Sequence, residues 1–321
     1  MRDTESRSIS RTSIPTGEFL ASLGLPPGER WTAQESPARF PDGAHFRIEI
    51  PSVEGPRCLE AVLAEAERLA VPVTRISQGT GIDLLTDAEI RAMARDAAGA
   101  GVELSLYARP CAAWGTSAMA RTPGGAGLGA AAHGQDQVAA ALGEIRRAAE
   151  LGIRSVLIAD LGVLAVFGEA RAAGLLPDEM QAKLSVMLPV ANPAAARVVA
   201  GLGADTINLP TDLTAAQAAA IRAAVSVPVD MYIEAPDNLG GFMRYHQLAE
   251  LIAAAAPLYA KFGLRNAPDV YPSGSHLEDT AVALSRERVR RARLGLDLLA
   301  RSGVAPVCST PGAKGLAIPV L

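Results

Sequence analysis

Eight short extended runs recur along the middle of the chain, and each is followed by a stretch with helical periodicity. The runs lie at residues 46–52, 73–79, 102–109, 155–160, 183–190, 206–211, 229–235 and 259–265. Their starts are about 23 to 30 residues apart with one exception, the length of a strand plus a crossover helix with short loops. Helix start signals support the alternation. Thr86-Asp87-Ala88-Glu89 has the form of a capping box, and Asn192-Pro193 puts proline at a first helical position. Strands alternating with helices predict a parallel sheet, and eight regular units predict closure, so the expected fold is α/β, a (β/α)8 TIM-like barrel. An open doubly wound sheet is the competing arrangement, but no glycine fingerprint follows the first strand.

The expected layout is a flexible leader over residues 1–44, a barrel over 45–302 and a tail over 303–321. The leader is rich in Ser, Arg, Pro and Gly, with one helical turn expected around Glu18 to Leu23. The tail carries Pro306, Pro311 and Pro319, and its apolar end is expected to dock on the body or on a second subunit. The exceptional spacing falls between strands three and four, where residues 110–135 form an insertion with Trp114, a Gly/Ala-rich run and His133. Insertions on the strand-to-helix side of a barrel serve as lids or subunit contacts.

Alternation within the runs separates two faces. The helix-contacting face of a barrel strand must be apolar, so the polar set is expected to point inward. That set holds Arg47, Glu49, Glu103, Arg109, Lys183, Asp230, Glu234 and Lys261, four cations and four anions. Barrel interiors are ordinarily filled by branched apolar residues. Buried charge must be paired, so an internal ion-pair network is predicted, with Lys183, Glu103 and Asp230 as structural partners near strand starts. Glu234, Lys261, Arg109 and Asn208 lie nearer strand ends, where catalytic groups gather, and Glu49 lies between the layers.

Composition narrows the function. A net charge of −4 gives no basic footprint for nucleic acid or for an anionic membrane. No run reaches transmembrane length and no signal-peptide core opens the chain, so a cytoplasmic protein is expected. Cys58, Cys111 and Cys308 are far apart, which argues against disulfides and against an iron–sulfur cluster. Cys111 has no sequence-adjacent base. A divalent metal has room only in a set such as Glu49, Glu234 and His276, and His276-Leu277-Glu278-Asp279 reads equally well as a helix start. No G-x-S-x-G elbow occurs.

The candidate catalytic residues are therefore Glu234, Lys261 and Glu49. Lys261 projects from the last strand and could form a Schiff base, with Glu234 or Tyr232 moving protons. Arg109, Arg265, Asn208, Gln78, Tyr232 and Asn266 are the candidate substrate-binding residues. The arginines follow strand ends, where guanidinium forks bind carboxylate or phosphate. The expected partner is a small anionic substrate, with no cofactor assigned and room for a homo-oligomer.

Several stretches resemble the bacterial group known as U32 family peptidases: FRIEIPSVEGP (46–56), RISQGTGIDLLTDAEI (75–90), ADLGVL (159–164), VMLPVANPAAARVV (186–199), NLPTDLT (208–214) and YAKFGLRNAPDVYPSG (259–274). The resemblance spans residues 45–300 and implies a TIM-barrel-like fold. The group's name implies a peptidase, whereas other relatives resemble RNA- or quinone-hydroxylation factors. This chain lacks the group's cysteine-rich signature, so the resemblance carries no cluster chemistry to it. The leading expectation is a barrel enzyme, a hydrolase by resemblance, acting on a small carboxylate- or amide-bearing substrate. A class I lyase using Lys261 is the alternative, followed by a non-catalytic binding subunit.

Overall fold

The computed structural model describes residues 16–27, 35–109, 118, 122 and 129–321. Eight parallel strands close into a barrel in chain order. They are β1 (Phe46–Pro51), β2 (Val73–Ser77), β3 (Glu103–Ala108), β4 (Ser155–Ile158), β5 (Gln181–Leu184), β6 (Thr206–Asn208), β7 (Val229–Glu234) and β8 (Leu258–Phe262). A short helix α1 (Thr16–Ser22) precedes β1. The barrel helices are α2 (Pro56–Leu69), α3 (Asp87–Ala100), α4 (Gln135–Glu150), α5 (Leu161–Ala172), α6 (Pro193–Gly201), α7 (Ala215–Ala224), α8 (Leu248–Ala255) and α9 (Glu278–Arg301). The (β/α)8 reading holds, and every predicted run overlaps its strand, although β5 begins two residues and β8 one residue earlier than predicted.

Local chemistry sets the helix starts. Thr86 accepts from the Glu89 backbone while the Glu89 side chain accepts from Thr86, completing the predicted capping box of α3. Asn192 caps α6 ahead of Pro193, and Thr214 with Gln217 forms a second capping box on α7. Asp160 caps α5 through Val163 N and also accepts from Ala132 N, which ties the end of the long β3–α4 connection to the barrel rim. Trp114 and Cys111 lie outside the described residues, so the expected lid is described only at its end.

The main apolar cluster lies between sheet and helices, with Ile48, Ile50, Ile76, Leu104, Val156, Ile207, Met231 and Phe262 all buried in it. Arg47 differs from its expected place in the internal network, because it closes the amino-terminal end of the barrel. Its guanidinium stacks 4.1 Å from the Phe40 ring and donates to Tyr259 Oη at 3.0 Å, Ser309 Oγ at 3.1 Å and Lys314 O at 2.7 Å. The carboxy-terminal segment thereby packs on the barrel, with Cys308 bridging to Phe46 and Val320 N donating to Gly152 O. Strand five is shorter than the alternation suggested. It stops at Leu184, and Ser185 to Leu188 turn away. Among the described residues, no helix is long and apolar enough to cross a membrane.

Candidate functional site

The register brings one carboxylate to the centre of the barrel. Glu49 on β1 pairs with Arg75 on β2 and with Lys261 on β8, and Lys261 pairs in turn with Tyr232 on β7. Glu49 is fully buried and accepts from Ser77 Oγ at 2.6 Å, from Lys261 Nζ at 3.2 Å and from Lys183 Nζ. Below it, Arg75 donates through Nε to Glu103 at 2.7 Å and through Nη1 to both oxygens of Asp230 at 3.2 Å. Ser155 Oγ completes the Glu103 shell at 2.9 Å. The predicted internal ion-pair network is therefore present, built from Glu49, Arg75, Glu103, Lys183, Asp230 and Lys261. Arg75 was not singled out in the sequence. Its signal is the alternation Val73, Arg75, Ser77 against Thr74, Ile76, which puts it on the inward face.

Burial and pairing pull these groups in opposite directions. Burial alone would raise the Glu49 pKa, but Lys183, Lys261 and Arg75 overcome it and hold the carboxyl well below the usual carboxylate range. For Asp230 burial wins, and its pKa rises despite Arg75 and Lys183. Burial also lowers Lys183 to about 8, against the opposing pull of Glu49. The lysine with the weakened ammonium is thus the one beneath the cavity.

Above this layer the strand ends open into a cavity of about 250 Å³ lined by Ser77, Gln78, Tyr107, Arg109, Asn208, Tyr232, Lys261 and Tyr271, among others. Lys261 is 2 % exposed, and its ammonium sits 4.4 Å from the Tyr232 ring centroid. Arg109 donates to Gly79 O at 3.3 Å and stands 5.7 Å from the Tyr107 ring. Gln78 lines the wall, but its amide is occupied. Nε2 donates to Gly81 O, and Oε1 accepts from Gly81 N and Tyr107 N, so it braces the loop after β2. Burial pushes the Tyr107 hydroxyl up to about 12 and raises Tyr232 as well, so both stay protonated as donors across the neutral range.

Four predicted site residues do not line the cavity: Glu49 lies beneath it, holding Lys261, and Glu234, Arg265 and Asn266 lie elsewhere. Glu234 turns away because β7 gains a residue between Tyr232 and Glu234, so that Glu234 pairs with Phe262, a residue of the helix-facing core. Behind the wall it accepts from Tyr245 Oη at 2.5 Å and Arg265 N at 2.9 Å, with Arg291 Nη1 at 3.7 Å. Lys261 therefore pairs with Glu49 rather than Glu234. Arg265 is exposed and faces Asp237 at 3.5 Å, and the exposed Asn266 takes a positive φ of 55° with its backbone N–H on the same aspartate. His276 sits in a short turn ahead of α9. Among the described residues no three or more His, Cys, Asp or Glu side chains gather as a metal site, so the Glu49–Glu234–His276 set is not formed.

Residues outside the sequence-based set complete the wall. Glu54 accepts from Gly79 N and Thr80 N at 2.9 Å each, fixing the Gly79-Thr80-Gly81 turn. Tyr271, from the loop after β8, donates to Ser52 Oγ and lies over Gly79, where an added Cβ would meet its hydroxyl at 2.6 Å. Glycine here permits the close approach of two loops.

No curated protein matches the chain. Among solved structures, a protein assigned as a fructose-1,6-biphosphate aldolase from Coccidioides immitis is 14% identical over 92% of this chain and 98% of its own, with a TM-score of 0.50, which shows the fold. The U32 peptidase Mk0906 is 16% identical over 62% of this chain and 73% of its own, with a TM-score of 0.38. Residues 129–235 match the model of Peptidase family U32. The chain is a TIM-barrel protein that carries the Peptidase family U32 pattern across residues 129–235, as its sequence resemblance implied.

Proposed function

We propose that the protein is an enzyme that takes a small carboxylate- or amide-bearing substrate into the barrel mouth and polarises a carbonyl with Lys261. The observation that carries this reading is the Lys261 ammonium on the cavity floor, fixed 3.2 Å from Glu49. A cation held in place before substrate arrives needs no reorganisation as negative charge develops on an oxygen. Tyr232 beside it and Tyr107 across the wall supply protonated hydroxyls for the same oxygen. Arg109 at the rim suits a carboxylate.

This chemistry serves hydrolysis of an amide, the activity named by the family, and equally the cleavage of a bond next to a carbonyl. Purified protein titrated with succinate by calorimetry tests the reading. Lys261→Met should weaken binding by about tenfold or more, roughly 1.4 kcal/mol. Unchanged affinity in that variant would overturn it. Turnover screens against amide and keto-acid sets then separate the reactions.

A second reading, imine formation at Lys261, is favoured by the burial of this lysine beside Tyr232. The close Glu49 carboxylate opposes it, since a paired ammonium is not a nucleophile. Borohydride reduction with keto acids should leave Lys261 unmodified if the first reading is right, and a mass increase there would favour the second.

A further inference from the structure

Asn208 is the last residue of β6 and lies with Lys261 on the wall of the cavity. It is 1 % exposed, and its amide oxygen Oδ1 has no hydrogen-bond partner among the described residues. Three neighbouring polar side chains are already committed. Ser77 and Lys261 hold Glu49, and Gln78 holds the Gly81 and Tyr107 backbones. A buried acceptor left unpaired forfeits its hydration without return, and roughly nine in ten such groups in native proteins are paired. Ser105 Oγ, Thr206 Oγ1 and, on the same cavity wall, Tyr107 Oη also lack partners, but a hydroxyl can give or take a proton. An amide oxygen can only accept.

We infer that Asn208 selects the ligand, by accepting an N–H or O–H hydrogen from it while a carboxylate or carbonyl oxygen of the same molecule faces Lys261. This rests on the proposed carboxylate reading of the cavity and narrows it. The substrate class is a small carboxylate bearing a primary amide, amine or hydroxyl, rather than a simple acid or an ester. A site built around a hydrogen bond discriminates strongly against an analogue without the hydrogen, because the buried acceptor is then left bare.

The test uses three probes on the full chain: succinate, succinamate and monomethyl succinate, the last two differing in an amide NH2 against a methoxy group. The wild type should bind succinamate about tenfold more tightly than monomethyl succinate. Asn208→Leu should bring the two affinities together without lowering the melting temperature, since replacing an unpaired polar group by an apolar one of similar shape removes no bond. Asn208→Asp keeps an acceptor and should keep the preference, even where overall affinity falls. Equal affinities in the wild type, or a preference that survives in Asn208→Leu, would overturn the inference while leaving the carboxylate reading intact, provided succinate binding still depends on Lys261. Failure of all three probes to bind would overturn both.

Discussion

Lys183 on β5 and Lys261 on β8 place their ammonium groups on one carboxylate, that of Glu49. The three side chains come from separate strands and are almost completely buried. Their charges are tolerable only together with Arg75, Glu103 and Asp230, which balance the layer at three cations and three anions. Of these six side chains Lys261 alone lines the cavity above and sets a cation in its floor.

Glu49→Gln should be among the most damaging single changes in the barrel. It leaves Lys183 with Asp230 alone, at 3.6 Å, and takes the counter-charge from Lys261. Breaking a buried pair by neutralising one partner costs about 3–5 kcal/mol. Urea denaturation measures this, and a loss below about 1 kcal/mol would mean that the layer does not depend on Glu49.

Lys183 gives the network a pH signature. Its folded pKa is lowered to about 8 from 10.5, so between those values the unfolded chain binds more protons and stability rises with pH. Cys308, raised to about 12 from 9.0, and Tyr107, raised to about 12 from 10.0, act in the opposite sense once the unfolded chain loses their protons. The difference between wild type and Lys183→Met isolates the lysine. The stability of the wild type relative to that variant should climb from about pH 8 to 10.5, read by denaturation at half-unit steps. A constant difference would contradict the assignment.

Glu234→Gln should leave ligand binding at the cavity nearly unchanged. The side chain lies behind the wall, on Tyr245 Oη and Arg265 N. Loss of charge-assisted hydrogen bonds there should reduce stability by about 1–3 kcal/mol. Succinate calorimetry beside a melting curve separates the two effects. A binding loss as large as that of Lys261→Met would restore Glu234 to the site.

Gly79→Ala should disturb the cavity wall through Tyr271. The new methyl would sit 2.6 Å from the Tyr271 hydroxyl and 2.8 Å from a ring carbon. Overpacking of this kind costs about 1–3 kcal/mol. Adding Tyr271→Ala should recover part of that loss, and a double-mutant cycle showing strict additivity would rule out the contact.

Alternation and spacing in the sequence determined the barrel, its eight strands, and the fact that charge lines its interior. These follow from local rules, since a strand exposes side chains to two faces and a crossover helix needs a fixed length of chain. The ion pairs were not legible, because partners 134 residues apart, such as Lys183 and Glu49, meet only through barrel closure. Arg75 was readable from Val73, Arg75 and Ser77 on one face, yet its meaning depended on Glu103 and Asp230 opposite. Glu234 shows the limit most clearly. Two-residue alternation pointed it inward, and the extra residue in β7 turned it outward, a change visible only in the pairing with β8. Lys261 kept its predicted position at the mouth, and tertiary structure alone decided that its carboxylate is Glu49.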